Sequence, residues 1–237
     1  MLTGKTIVVA GATGGIGEGV TRQFLRHGAN VVALGRSEEK LDQLREYLAG
    51  VQTGNLITVK ANLDQPEKES RELQDRLNQR FGDIDGAVVA IGNWGNANRR
   101  LIDVSDEQWE QAIRDNLVSH FRALRTLIPL IKRDGALVHF SGLSADGPYP
   151  GAGLIGLTNA AKKSLVLTMA AEQEATGPRI HELIIGPIRT RERVAAGIAR
   201  AEWYDPEELG DFASELIRGE TEAARQPLHY RVQRSGS

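Results

Sequence analysis

The residues that could do chemistry begin with a glycine loop. Gly11-Ala12-Thr13-Gly14-Gly15-Ile16-Gly17 follows directly on the apolar run Thr6–Ala10 and leads into an amphipathic stretch, Ile16–Arg26. Gly-x3-Gly-x-Gly between a strand and a helix lets the backbone turn tightly and come close to a pyrophosphate. The first N–H groups of the helix, at the positive end of its dipole, then face the phosphates. The same glycines also suit an ordinary strand-to-helix turn. A second feature closes the next apolar run: Ala33-Leu34-Gly35-Arg36-Ser37. An acidic residue there would accept hydrogen bonds from a ribose 2′-hydroxyl and repel a 2′-phosphate. Gly35 leaves that space empty, and Arg36 offers a planar fork matched to phosphate. The alternative is a solvated Arg at the start of a helix.

These residues need elements to place them. Short runs rich in Val and Ile recur at Thr6–Ala10, Asn30–Leu34, Leu56–Lys60, Gly86–Ile91, Ala136–Phe140 and Ile180–Ile185, with a weaker one at His229–Val232. They are nearly continuous rather than alternating, as strands covered on both faces are. Helical patterns lie between them. Ser37–Leu48 has Ser37 as N-cap and two acids in its first turn. Ser105–Ile131 opens with the capping pair Ser105 and Gln108, then carries Trp109, Ile113, Leu117, Phe121, Leu124 and Ile128 along one stripe. This alternation predicts an α/β fold: a Rossmann-like, doubly wound parallel sheet of about seven strands with helices on both faces. No repeat or long linker divides residues 1–237, so one dinucleotide-binding domain is expected.

Composition narrows the classes. The 237 residues carry 29 basic and 31 acidic side chains, a formal net charge of −2, which leaves no electrostatic footprint for nucleic acid or an anionic membrane. With no cysteine, disulfides, thiolate nucleophiles and Cys-ligated metals are excluded. The histidines show no His-x-x-x-His pair, so no metal site is expected. No apolar run approaches a bilayer span and the first residues enter a strand at once, so a cytoplasmic protein is expected.

Over nearly its whole length the chain resembles the short-chain dehydrogenase/reductases. The spacing of Gly11, Gly15 and Gly17 is similar to that family's cofactor loop, with Ala10 where Thr is usual. Asp85-Gly-Ala-Val-Val-Ala-Ile-Gly92 sits where its fourth strand and Asn-Asn-Ala-Gly motif belong, with Gly92 the one residue kept. Gly186-Pro187-Ile188-Arg189-Thr190 resembles the segment at the nicotinamide end, in wording close to the enoyl-reductase branch. The resemblance implies that Gly11, Thr13, Gly15, Ile16, Gly17, Arg36, Ser37, Asn62, Leu63, Gly92, Asn159, Gly186, Pro187, Ile188 and Thr190 bind the cofactor. It favours NADP(H) over NAD(H).

The family's chemistry uses a Tyr, a Lys four residues later, a Ser thirteen residues before the Tyr, and an Asn in the preceding helix. Aligned on Pro150-Gly151 and Glu172, the resemblance puts Ile155 at the Tyr position, Asn159 at the Lys position and Gly142 at the Ser position. Asn116 matches the helix Asn. Isoleucine exchanges no proton, and losing a positioned acid costs roughly 10²–10⁴ in rate. Substitutes are Ser141 and Ser144, which otherwise satisfy the loop backbone, and Tyr149, otherwise a rim aromatic. Lys162 and Lys163 lie one turn beyond Asn159 and read as a solvated pair. His139 reads as a packed core histidine rather than a base, and Asn93 and Trp94 as a possible wall of the cleft. Residues 190–211 correspond to the substrate lid.

Two functions follow as expectations. One is an NADP(H)-dependent oxidoreductase moving hydride to or from a carbonyl or enoyl substrate by a non-standard mechanism. The other is a non-catalytic NADP(H)-binding protein, a sensor or a partner subunit. The small-molecule substrate stays unspecified, and a homodimer or homotetramer paired through the long helices is expected.

Overall fold

The computed structural model describes residues 1–51, 53–92 and 99–234. Seven strands form one sheet: β1 (Thr6–Ala10), β2 (Asn30–Gly35), β3 (Asn55–Lys60), β4 (Ile84–Val89), β5 (Ile131–Gly142), β6 (Arg179–Ile185) and β7 (Leu228–Arg231). Their order is β3-β2-β1-β4-β5-β6-β7 and every pairing is parallel. The winding reverses between β1 and β4. A ligand in such a sheet lies outside the carboxyl ends of the strands at that switch point.

The alternation of side chains along each strand divides the core in two. Ile7 and Val9 of β1 face α1 (Gly15–Arg26), α2 (Glu38–Leu48) and α8 (Pro206–Arg218) through Val20, Phe24, Leu44, Leu209 and Leu216. Val8 and Ala10 face the other way, toward α3 (Glu67–Phe81), α5 (Ser119–Leu127) and α6 (Gly153–Gln173) through Leu77, Leu124 and Val166. Both faces of the central strands are dry, which is why they read as unbroken apolar runs, while the edge strand β3 is only partly buried.

Two expectations change. The single long helix over Ser105–Ile131 is α4 (Asp106–Ile113), one wider turn at Arg114–Val118, then α5 and a final tight turn, with Ile131 already in β5. The capping box of Ser105 and Gln108 forms as expected. Trp109 and Phe121, read as part of the buried stripe, are exposed, while Leu124 is buried. A wider turn adds a residue to the helix and shifts the face downstream of it. The second change concerns the lid. Of residues 190–211, the last part belongs to α8, whose capping box joins Asp205 and Glu208 and whose Leu209 is in the core. Pro206 seats so closely on α1 that a Cβ on Gly19 would overlap it.

His181, in β6 on the α8 face, donates from Nδ1 to the Gln226 carbonyl at 3.0 Å and lies against His229. Burial pushes its pKa down to about 4 from 6.5. The folded state therefore holds it neutral while the unfolded chain takes up a proton near pH 6.5. Its contribution to stability is complete above pH 6.5 and is lost as pH falls toward 4, by up to about 3 kcal/mol. Melting temperature measured from pH 7.5 to 4.5 should fall more steeply in the wild type than in His181→Asn; parallel slopes would refute this.

Candidate functional site

The glycine loop closes against β4. Gly11, with φ +83°, takes a left-handed backbone that favours glycine, and a Cβ there would stand 2.6 Å from the Ala90 carbonyl oxygen. A Cβ on Gly17 would overlap the Gly11 carbonyl, so the first turn of α1 lies directly on the loop. Gly14, the N-cap of α1, has no side chain to satisfy that turn, and its N–H groups stay available to an anion. Gly92, at the end of the chain leaving β4, has no described atom within 4 Å of a would-be Cβ. Together these make a glycine cradle at the switch point, of the kind that admits a diphosphate.

The flanking residues come to the same edge. Thr190 packs over Gly15, its methyl 2.9 Å from where a Cβ would stand, and caps α7 (Arg191–Ala195) by accepting from the Arg193 N–H. Arg191 grips Glu18 with two hydrogen bonds, at 3.1 and 2.9 Å, and lies over the Tyr47 ring. Burial raises the Glu18 pKa against the opposing pull of Arg191. A Cβ on Gly35 would meet Leu41 at 2.9 Å and Thr13 at 3.1 Å, so a side chain at the end of β2 would have to displace those two. Arg36 beside it is exposed, and Ser37 caps α2. Asn62 is exposed and turns its Oδ1 to the Asp64 N–H, while Leu63 is buried. Gly186 has a packing reason of its own: a Cβ would overlap the Val232 carbonyl as the chain leaves β7. Ile188 is buried, Pro187 exposed, and Ile16 half-buried.

On the α6 side of the cleft, Gly142, Ser144 and Asn159 meet. Asn159 Nδ2 donates to Ser144 Oγ at 2.9 Å, and a Cβ on Gly142 would sit 2.7 Å from that same Nδ2. Ile155, one turn earlier on α6, is buried, and so is Asn116 in the wide turn before α5. Tyr149 is exposed on the rim. Asn93 and Trp94 lie outside the described residues.

Beneath this floor is a charged cluster that corrects three sequence readings. Ser141 does not serve a loop: its hydroxyl donates to Glu182 Oε1. His139 is more than a packed ring: its Nδ1 is 2.5 Å from Glu182 Oε2 and its Nε2 is 2.7 Å from His120 Nδ1. Lys162 is not solvated. It turns under α6 and is 4% exposed, while Lys163 stays at the surface and donates to Asp146 and Tyr230. Burial lowers Lys162 to about 8, with Glu182 pulling the other way. Burial also drives His120 well below its usual range, aided by the charges of Lys162 and His139 and opposed by the Ile91 carbonyl. Glu182 escaped sequence reasoning; the signal was a lone acid inside the apolar run Ile180–Ile185.

A doubly wound sheet with a glycine cradle at its switch point is a Rossmann-like fold. Residues 11–210 match the family model described as enoyl-(acyl carrier protein) reductase. The oxidoreductase UcpA of Escherichia coli K12 is 31% identical over 92% of this chain and 80% of its own length. A short-chain type dehydrogenase/reductase from Mycobacterium ulcerans superposes with a TM-score of 0.84 at 22% identity, covering 97% of this chain and 88% of that one. A 3-oxoacyl-acyl-carrier-protein reductase from Brucella melitensis, solved with bound NAD, superposes at 0.80 and 20% identity over 97% and 89%. The chain belongs to the short-chain dehydrogenase/reductase family.

Gly11→Ala should cost about 1–3 kcal/mol of stability through its left-handed backbone and the Ala90 carbonyl. Gly92→Ala, with no described atom within 4 Å of the added Cβ, should leave the melting temperature within about 1 °C and weaken dinucleotide binding severalfold. Equal loss of stability in both variants would show that Gly92 serves packing alone.

Proposed function

We propose that the chain is an NADP(H)-dependent oxidoreductase that moves hydride to or from a carbonyl or enoyl substrate, with its proton handled by a group other than tyrosine. The observation that carries this reading is the end of β2: Gly35 stands where an acid would repel a 2′-phosphate, and Arg36 stands exposed next to it. The nicotinamide cofactor supplies the hydride chemistry; the protein holds and orients it. Gly11, Gly15 and Gly17 admit its diphosphate, the first turn of α1 supplies N–H groups, and Thr190 lies at the far edge of the cradle. Arg36 would pair with a 2′-phosphate through two parallel hydrogen bonds. Ser144, held by Asn159, offers a hydroxyl on the cleft floor that can steady a substrate oxygen.

Ile155 and Asn159 stand at the positions that the family likeness assigns to its Tyr and Lys, and neither can donate a proton as those residues do. That observation favours a second reading, a nucleotide-binding sensor or partner subunit without turnover. Exposed Trp109 on α4, Phe121 on α5 and Leu157 on α6 support self-association as a homodimer or homotetramer. The reading includes a cytoplasmic location.

Calorimetry on the purified protein should give micromolar NADPH affinity, with NADH at least tenfold weaker. Arg36→Ala should remove most of that difference, about 1–2 kcal/mol. NADPH oxidation over a panel of carbonyl and enoyl compounds then separates the two readings, since the sensor binds and does not turn over. Equal affinities for both nucleotides in the wild type would refute the assignment of NADP(H).

A further inference from the structure

Four elements each send an ionisable side chain into one dry layer under α6. Glu182 comes from β6, His139 from β5, His120 from α5 and Lys162 from α6; the first three are fully buried. Such a cluster is a poor way to stabilise a parallel sheet. Taking each charge out of water costs more than its partners return unless the geometry is excellent, and apolar side chains of equal volume serve stability as well or better. The neighbouring inward positions of the same strands, Leu137 and Ile180, show what packing alone selects.

The links run in one direction. Ser141 is the last inward side chain of β5 before Gly142, at the carboxyl edge where this fold takes its ligands. Its hydroxyl donates to Glu182 Oε1. His139 Nδ1–H holds Oε2, which leaves His139 Nε2 to accept from His120 Nδ1–H. Beyond His139, His120 lies against the Ile91 carbonyl, and the string ends there in the interior. At the other end the Ser141 oxygen keeps its lone pairs for a donor arriving from the cleft.

We propose that Glu182, acting through Ser141, is the acid–base group of this cleft, with His139, His120 and Lys162 positioning it and setting its charge. This rests on the oxidoreductase reading above. In the oxidising direction an alcohol O–H proton passes to Ser141 Oγ as the Ser141 proton passes to Glu182 Oε1. The hydride from the same carbon leaves to an oxidised nicotinamide. The alcohol becomes a carbonyl, Ser141 is unchanged, and Glu182 is left as a neutral carboxyl steadied by His139. Reduction remakes the same bonds in reverse. Ser141 touches the substrate oxygen; Glu182 and the groups behind it act through Ser141. The charged and titratable groups facing Glu182 are His139 from β5, His120 behind it from α5 and Lys162 from α6.

The test compares wild type with Glu182→Gln, Glu182→Asp and Ser141→Ala. Calorimetry gives the affinity for NADPH. Infrared difference spectra between the NADP⁺-bound and NADPH-bound protein follow the carboxyl, because the ring's charge differs between the two forms. Expected is a protonated-carboxyl band in the wild type that Glu182→Gln abolishes while keeping NADPH affinity within about threefold. On a substrate that turns over, kcat should fall roughly 10²–10⁴-fold in Glu182→Gln and Ser141→Ala, with one limb of the pH profile lost, and Glu182→Asp should recover part of it. The proposal is overturned if the wild type shows no carboxyl band. It is equally overturned if Glu182→Gln keeps the wild-type pH profile, or loses stability and affinity with that profile intact. Failure of the wild type to bind either nucleotide would remove the oxidoreductase reading, and this proposal with it.

Discussion

The close approach of three backbone segments at the β1/β4 switch point is the constraint on which the rest of the structure depends. Gly11 turns with φ +83° under the Ala90 carbonyl, and Gly17 brings the first turn of α1 onto Gly11. A side chain at either position would push α1 away from the sheet, and with it Val20 and Phe24, which pack against β1. The same contact line carries α8, since Pro206 sits on Gly19 and Gly210 on Val20 and Gln23. One steric requirement therefore sets the cradle, the seating of α1 and the seating of α8 together.

The segments covering that edge are tied down by charge. Arg191 links α7 to Glu18 in the first turn of α1, and Arg234 reaches back to Asp205 at 2.6 Å, to Glu208 and to the Ala201 carbonyl. These bonds close the stretch between Thr190 and Asp205 at both ends. The capping box of α8 and the Arg234 contacts use the same two acids, so the last described residues help to hold the start of a core helix.

Under α6 the molecule accepts a cost that packing does not explain. The strands there are otherwise aliphatic, and the pair Glu182–His139 has no solvent access. The layer reaches the carboxyl edge at Ser141, the residue before Gly142, where buried Ser144 and Asn159 meet. The wide helical turn at Arg114–Val118 likewise carries a polar side chain, Asn116, into the interior.

The strands, α1 and α2 with its Ser37 cap, and the capping box of Ser105 are local properties, set by side-chain periodicity and by bonds spanning three residues. They were therefore legible residue by residue, although α3 and α8 were not read as helices. The cradle was legible too, since its glycines lie within one short loop. Other features were decided by tertiary structure alone. Nothing local distinguishes Lys162 from Lys163, yet the rotation of α6 buries one and leaves the other at the surface. No local pattern pairs His120 with His139, or Ser141 and His139 with Glu182, because those bonds join residues 19, 41 and 43 apart. Their partnership exists only once β5 and β6 lie side by side beneath α6. By itself the sequence determined a doubly wound sheet with a nucleotide cradle; the parallel register of β5 on β6 decided where its buried charges meet.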